Sequence, residues 1–309
     1  MRVFLAGATG VIGRRLVPAL LAAGHEVTAM CRSPERAEQV RAAGGEAVVA
    51  DALDAEAVRS AVAAVRPDAL VNQLTALPKR IDPRRIERDF ELNDRLRSEG
   101  SAILAAAARD AGVARLVAQS IAFSYEPGPP GTVHVEEDPL VRRPAPSFAR
   151  TADAIERLER TTHDHGGTVL RYGYFYGPGS AIAPDGSIVQ DLRRRRMPLV
   201  GSGAGVWSFI HVDDAADATV AALSAPPGVY NVVDDEPAPV GEWLPALARA
   251  AGAPRPLRVP AFIARLAAGD YGVQVMTAAQ GASNALAKRE LSWRPAHASW
   301  REGFSTALG

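Results

Sequence analysis

Short apolar runs alternate with amphipathic repeats along most of this chain. Residues 3–6 form an apolar run and residues 14–23 repeat apolar positions at helical spacing, so the chain opens as strand then helix. Gly24 closes that helix, Glu26–Cys31 reads as a second strand, and Ser33 followed by Pro34 marks the next helix start. Residues 47–50 and 68–72 give a third and a fourth strand. Residues 83–111 carry a long helical pattern, with Arg and Glu on one face and Ala and Leu on the other. A fifth strand is expected over 115–120, a helix over 146–162, a sixth strand leading into 171–179, and a last strand over 229–233. This alternation implies a parallel sheet with right-handed crossovers, an α/β doubly wound fold. From Pro237 onward short helices broken by Pro245, Pro254, Pro256 and Pro260 predict a smaller, mostly helical C-terminal lobe. The expected division is 1–176 plus about 204–236 for the sheet domain, and about 177–203 plus 237–309 for the substrate lobe. The proline-rich stretch 127–146 reads as a long surface loop placed to cover a ligand.

Composition narrows the function classes. Lys plus Arg and Asp plus Glu both number 35, so no global field steers the chain to nucleic acid or to a membrane surface. No apolar run reaches the roughly 18 residues that a membrane span needs. The single cysteine, Cys31, excludes an internal disulfide and fits a reducing cytoplasm. The expectation is a cytoplasmic monomer or homodimer that takes a small-molecule partner, the long charged helix being a plausible dimer face.

The chemistry begins at Gly7-Ala8-Thr9-Gly10-Val11-Ile12-Gly13, three glycines spaced G-x-x-G-x-x-G between the first strand and the first helix. Such a turn brings backbone N–H groups and the positive end of a helix against a pyrophosphate, the Rossmann arrangement for a dinucleotide. At the end of the second strand an NAD site carries a carboxylate for the ribose 2′-OH. Here Cys31 stands there, followed by Arg32, Ser33 and Arg36, which suits a 2′-phosphate and therefore NADP(H). Asp51 and Ala52 follow the third strand, with the Asp51 carboxylate able to meet the adenine amino group. Gln73, Leu74 and Thr75 follow the fourth strand, and Gln119 and Ser120 end the fifth. Tyr172, Tyr174 and Phe175 follow the sixth, which places all of these at the edge where such sheets bind ligands.

The glycine motif, Asn93 in the long helix, the strand leading to Tyr125, and the segments 171–179 (RYGYFYGPG) and 209–214 (FIHVDD) together resemble the extended short-chain dehydrogenase/reductase superfamily, over nearly the whole length. That group includes nucleotide-sugar epimerases and dehydratases. The resemblance implies a Tyr-x-x-x-Lys pair on one helix and a Ser or Thr four residues before the tyrosine of the fifth-strand loop. A tyrosine of pKa about 10 becomes a usable acid near neutrality only with a neighbouring ammonium. Aligned through Glu156, Phe148 occupies the tyrosine position and Ala152 the lysine position, while Ile121 occupies the Ser/Thr position. No tyrosine of the chain is followed by lysine four residues later, so no other register restores the pair.

Ser120, Tyr125, Tyr174 and Tyr176 are the candidate substitutes, Ser120 facing the wrong way for a regular strand. His134, His163 and His165 are expected to be exposed, without a metal, and His211 to pack or cap. The lobe residues Trp207, Phe262, Tyr271, Val273, Val275 and Met276 suit either a core or a flat hydrophobic ligand. The best reading is an NADPH-dependent ketoreductase of an aromatic, hydroxyaryl ketone, similar to the atypical reductases of angucyclinone antibiotic biosynthesis of the simocyclinone type. A silent NADP(H) sensor is the alternative, and a nucleotide-sugar epimerase or dehydratase the third choice.

Overall fold

The computed structural model describes residues 1–308. Seven strands form one parallel sheet: β1 (Arg2–Ala6), β2 (Glu26–Cys31), β3 (Glu46–Val49), β4 (Ala69–Asn72), β5 (Arg115–Ile121), β6 (Thr168–Tyr172) and β7 (Val229–Val232). Their order is β7-β6-β5-β4-β1-β2-β3, which reverses direction between β1 and β4. That reversal opens a crevice at the carboxyl ends of the strands, where a ligand can enter.

Both faces of the sheet are covered, and β1 shows why. Val3 and Leu5 point to one side and Phe4 and Ala6 to the other, all fully buried. The first side packs on α1 (Gly13–Ala22) through Leu16, Val17 and Leu20, and on α6 (Val212–Ala222) through Ala215, Ala216 and Ala218. The second side packs on α3 (Ala55–Val65) through Val58 and Val62, and on α4 (Ser101–Asp110) through Leu104, Ala105 and Ala108. Helix α2 (Pro34–Ala42) starts at Ser33, whose hydroxyl caps it, as its sequence predicts. Helix α5 (Ala149–Asp164) extends a short turn at Pro146–Phe148.

The long helical pattern of 83–111 does not form one helix. It breaks into Ile86–Asp89, Glu91–Arg95, a π turn at Leu96–Gly100, and α4. A π turn adds a residue to the repeat and rotates every later side chain about the helix axis. Arg97, which the pattern places among solvated charges, thereby lies buried at 6% exposure.

The C-terminal lobe has its own core. Helices α7 (Val240–Ala250), α8 (Ala261–Thr277) and α9 (Trp300–Leu308) enclose Trp207, Phe209, Trp243, Trp300 and Phe304. Helix α8 is interrupted at Gly269, whose φ of 66° no helix contains. One part of the expected lobe packs elsewhere: Ala287, Leu291 and Trp293 join the apolar cluster on the α1 face of the sheet. Among the described residues no helix is long and apolar enough to cross a membrane.

Candidate active site

The glycine loop separates what the fold needs from what a ligand needs. Gly7 has φ 96°, and a Cβ there would lie 2.3 Å from the Gln73 carbonyl oxygen. At Gly13 a Cβ would lie 2.2 Å from the Gly7 carbonyl oxygen, so α1 could not seat on its turn. Gly10 differs: it has an ordinary φ, and the nearest protein atom to an added Cβ is 3.4 Å away. The folded chain alone would tolerate a methyl group there, whereas a pyrophosphate resting on the loop would not. Val11 is exposed and Ile12 is the buried N-cap of α1, so the first N–H groups of α1 open toward the same space. The loop fits a dinucleotide.

The expected 2′-phosphate contacts surround it. Arg36 reaches across to donate from Nη1 to Thr9 Oγ1 at 2.7 Å, and Arg14 donates to the Thr9 carbonyl at 3.1 Å. Arg32 and Arg36 are exposed, Ser33 serves as the cap of α2, and Cys31 is buried with its thiol pushed up by that burial. Asp51 accepts a hydrogen bond from the Leu53 N–H at 2.9 Å and remains exposed, while Ala52 is buried beneath it.

Further along the edge, the Gln119 amide donates to the Leu74 carbonyl at 3.3 Å, tying the ends of β5 and β4 together, and Thr75 is exposed. Gln73 is buried and donates to the Tyr172 hydroxyl at 3.0 Å, which is also 2.7 Å from Thr219 Oγ1. Tyr172 is therefore a buried residue with 1% exposure, its hydroxyl held between Gln73 and Thr219. Phe175 packs against the same core.

The three family positions do meet. Ile121, Phe148 and Ala152 lie in one cluster with Ile86, Phe90, Ile155, Leu140 and Tyr271. Phe148 stacks on Tyr271 at a centroid distance of 4.5 Å. Where the resemblance implies hydroxyls and an ammonium, this chain places hydrocarbon. Beside the cluster opens a narrow cleft of about 50 Å³ lined by Phe123, Tyr125, Phe148, Tyr271, Gln274 and Val275, with Pro127, Val141 and Pro144 supplying the edge contributed by the 127–146 loop.

The candidate substitutes are committed to other work. Ser120 donates to Glu159 Oε1 at 2.6 Å, and Glu159 takes a two-pronged ion pair from Arg171, with Nε at 3.0 Å and Nη2 at 2.7 Å. Arg171 also donates to the Tyr125 hydroxyl at 2.9 Å, and that hydroxyl donates to Asn231 Oδ1 at 2.6 Å. This chain of buried groups joins β5, β6, β7 and α5, and each member satisfies the next. Burial pushes the Tyr125 phenol up to about 12, against the pull of Arg171, which makes it a reluctant proton donor. Tyr174 is sandwiched between Phe123 at 4.1 Å and Trp207 at 3.8 Å, and burial raises its phenol well above the ordinary value. Tyr176 is fully buried in the lobe core.

The histidines divide. His134, expected to be exposed, is buried at 3%: it stacks on Tyr125 and reaches Asp138 and Gln280 with its two ring nitrogens. The Pro-rich loop returns over the network and carries His134 into it, which loop composition alone does not reveal. His163 is exposed, and His165 reaches the Val113 carbonyl. His211 caps α6 by accepting from the Asp213 N–H. It lies with Asp214 and His297 in a group whose ligand-type atoms are within 4.8 Å of one another, but Asp214 is spent on the Ala296 and His297 N–H groups.

Glu159, Arg171 and Asn231 escape the sequence reading, although a charged residue inside the apolar strand Thr168–Tyr172 signals a buried partner. Arg97 offers no such signal.

Comparison with known proteins agrees with this geometry. Residues 3–232 match the model of the NAD dependent epimerase/dehydratase family. The chain is 50% identical to a 3-diazoavenalumate denitrifying reductase of a Streptomyces species, over 98% of this chain and 99% of that protein. It is 28% identical to a 4-hydroxy-2-methyl-3-oxo-4-farnesyl-3,4-dihydroquinoline-1-oxide ketoreductase of Stigmatella aurantiaca, over 82% of this chain and 74% of that protein. Its fold superposes on UDP-glucose 4-epimerase of Thermus thermophilus in complex with NAD, with a TM-score of 0.77, 27% identity, and coverage of 100% and 98%. The chain belongs to the NAD dependent epimerase/dehydratase family.

Proposed function

We propose that this chain is an NADPH-dependent reductase of hydroxyaryl substrates that works without a side-chain acid. The observation that carries this reading is the hydrocarbon corner of Ile121, Phe148 and Ala152 beside a glycine loop that fits a dinucleotide. The cofactor supplies hydride when bound. Gly10 and the N-terminus of α1 would hold its pyrophosphate, Arg32 and Arg36 its 2′-phosphate, and Asp51 its adenine. Residues 73–75 and 119–120 would border its path along the sheet edge.

The protein's own part is orientation in a dry site. The stacked Phe148 and Tyr271 rings give the cleft a flat wall for an aromatic substrate, and the loop 127–146 forms one edge of it. Holding reacting atoms about 3–3.5 Å apart can lower a barrier by several kcal/mol. A ketone flanked by a phenol already carries an internal hydrogen bond to the oxygen that becomes anionic, so its charge is stabilised without a protein donor.

The Streptomyces relative favours a second acceptor of the same acid-independent kind. In an aryl diazonium, hydride forms a C–H bond while the C–N bond breaks, and the electron pair leaves with dinitrogen. That balance needs no proton.

The test uses NADPH deuterated at the transferring position, with a hydroxyaryl ketone, its methyl ether, and an ortho-hydroxyaryl diazonium. Deuterium should appear on the carbinol carbon or on the ring carbon that lost nitrogen, and the methyl ether should bind yet resist reduction. Tight cofactor binding with no oxidation of NADPH by any acceptor would make the chain a silent sensor instead.

A further inference from the structure

Most buried charges near the cleft have a partner of their own. Glu159 is paired with Arg171. Asp94, at 3% exposure, is bound through Oδ2 by Arg150 at 3.0 Å and by the Thr151 hydroxyl at 3.1 Å, while its Oδ1 has no hydrogen-bond partner and its charge acts on Arg97 without a direct contact. Arg97 is the exception. It is buried at 6% exposure, its Nε has no hydrogen-bond partner, and among the described residues it forms no ion pair. An unpaired buried cation is costly, and a five-residue π turn holds this one inward instead of letting it reach water.

Arg97 is not itself among the residues lining the cleft, but the element that carries it packs on the site. The π turn packs on α5, which carries Ala152 and Ile155 of the hydrocarbon corner. Burial pushes the Tyr271 phenol up, and the charge of Arg97 offsets part of that rise. Tyr271 lines the cleft, stacked on Phe148.

We propose that Arg97 is a substrate-recognition residue, reading an anionic oxygen, phenolate or carboxylate, on the planar aryl substrate beside Tyr271. The proposal deepens the hydroxyaryl reading and rests on it. A guanidinium suits this role because it keeps its charge when buried and presents several donors in one plane. An oxyanion bound there would give Arg97 Nε the hydrogen-bond partner that it lacks. A negative charge on the substrate ring would also be fixed relative to the reacting carbon.

The experiment titrates NADPH-loaded enzyme with 4-hydroxycinnamate, its methyl ester, its O-methyl ether and the doubly masked neutral molecule, following tryptophan fluorescence. The wild type should bind the parent at least about tenfold more tightly than the neutral form, the scale of a charge-assisted contact. The singly masked probes then tell which oxygen is read: phenolate absorption appearing on binding at neutral pH marks the phenol, and its absence with the ether still bound marks the carboxylate. Arg97→Gln should erase the preference, and Arg97→Lys should restore part of it, while affinity for the neutral probe and for NADPH stays unchanged. Equal binding of parent and neutral probe by the wild type overturns the proposal even if the variants fail to fold. So does an unchanged preference in Arg97→Gln. Binding is read here without turnover. Anion recognition with no hydride transfer to any acceptor would therefore sink the reductase reading alone.

Discussion

Arg32 and Ser120 mark the two limits of what single residues tell. Arg32 follows the second strand and lies exposed, with no fold to support. Arg32→Ala should therefore weaken NADPH by about tenfold or more and leave NADH and the melting temperature nearly unchanged, as paired cofactor titrations would show. Equal affinity of the wild type for both cofactors would remove the 2′-phosphate argument. Ser120 looked like a substitute catalyst only because its sequence neighbour stands where a hydroxyl is missing. Its hydroxyl is spent on Glu159, and that of Tyr125 on Asn231. Ser120→Ala, Tyr125→Phe and Tyr174→Phe should each keep turnover within about tenfold, below about 1.4 kcal/mol in the barrier. Tyr125→Phe should nonetheless lower stability by about 1–3 kcal/mol, since it leaves buried groups of Arg171 and Asn231 unsatisfied. A variant that is stable but inactive would reveal a protein acid. That no tyrosine is followed by lysine four residues on is legible from the sequence by inspection. The buried network around Glu159 was not legible, because its members come from four elements far apart in the chain.

Among the elements, the strand–turn–helix at the N-terminus was readable to within a residue, since glycine spacing, apolar period and the Ser33–Pro34 start all agree. It also separates folding from binding by experiment. Gly13→Ala should lower the melting temperature sharply, because its methyl meets the Gly7 carbonyl. Gly10→Ala should melt like the wild type yet bind NADPH poorly, because only the ligand occupies that space. A Gly10→Ala protein with full cofactor affinity would move the pyrophosphate elsewhere. The segment 83–111 was the least legible. Its charged and apolar faces fit one amphipathic helix, and nothing in the residues announces the π turn that rotates Arg97 inward. The two-residue strands of the lobe escaped for a related reason, being fixed by their partners and not by any local pattern.

At the scale of the whole molecule, the parallel sheet followed from the βα rhythm, but the return of Ala287, Leu291 and Trp293 to it did not, because a proline-broken tail carries no address. Buried titratable groups in that tail's neighbourhood set the pH range of the fold. Burial, then the charge of His297 stacked 3.8 Å away, lowers the pKa of His211. The unfolded chain therefore takes up a proton that the folded one refuses, and stability should fall as pH drops below about 6.5. Asp234 acts oppositely: burial raises it from 3.8 to about 8, so the folded chain keeps a proton that the unfolded chain has lost. Its contribution is whole below the unfolded value and is lost as pH rises toward about 8. Asp234→Asn should consequently raise the melting temperature, by a margin that widens between about pH 5 and 8; a constant margin in thermal melts would refute the assignment. The corner of Ile121, Phe148 and Ala152 bears on ancestry as well as on catalysis. A tyrosine at Phe148 would find no lysine one helical turn on, and a lysine at Ala152 would enter an apolar cluster. Neither substitution alone would assemble the pair that the resemblance implies, so only the double change could test whether this corner can still carry it.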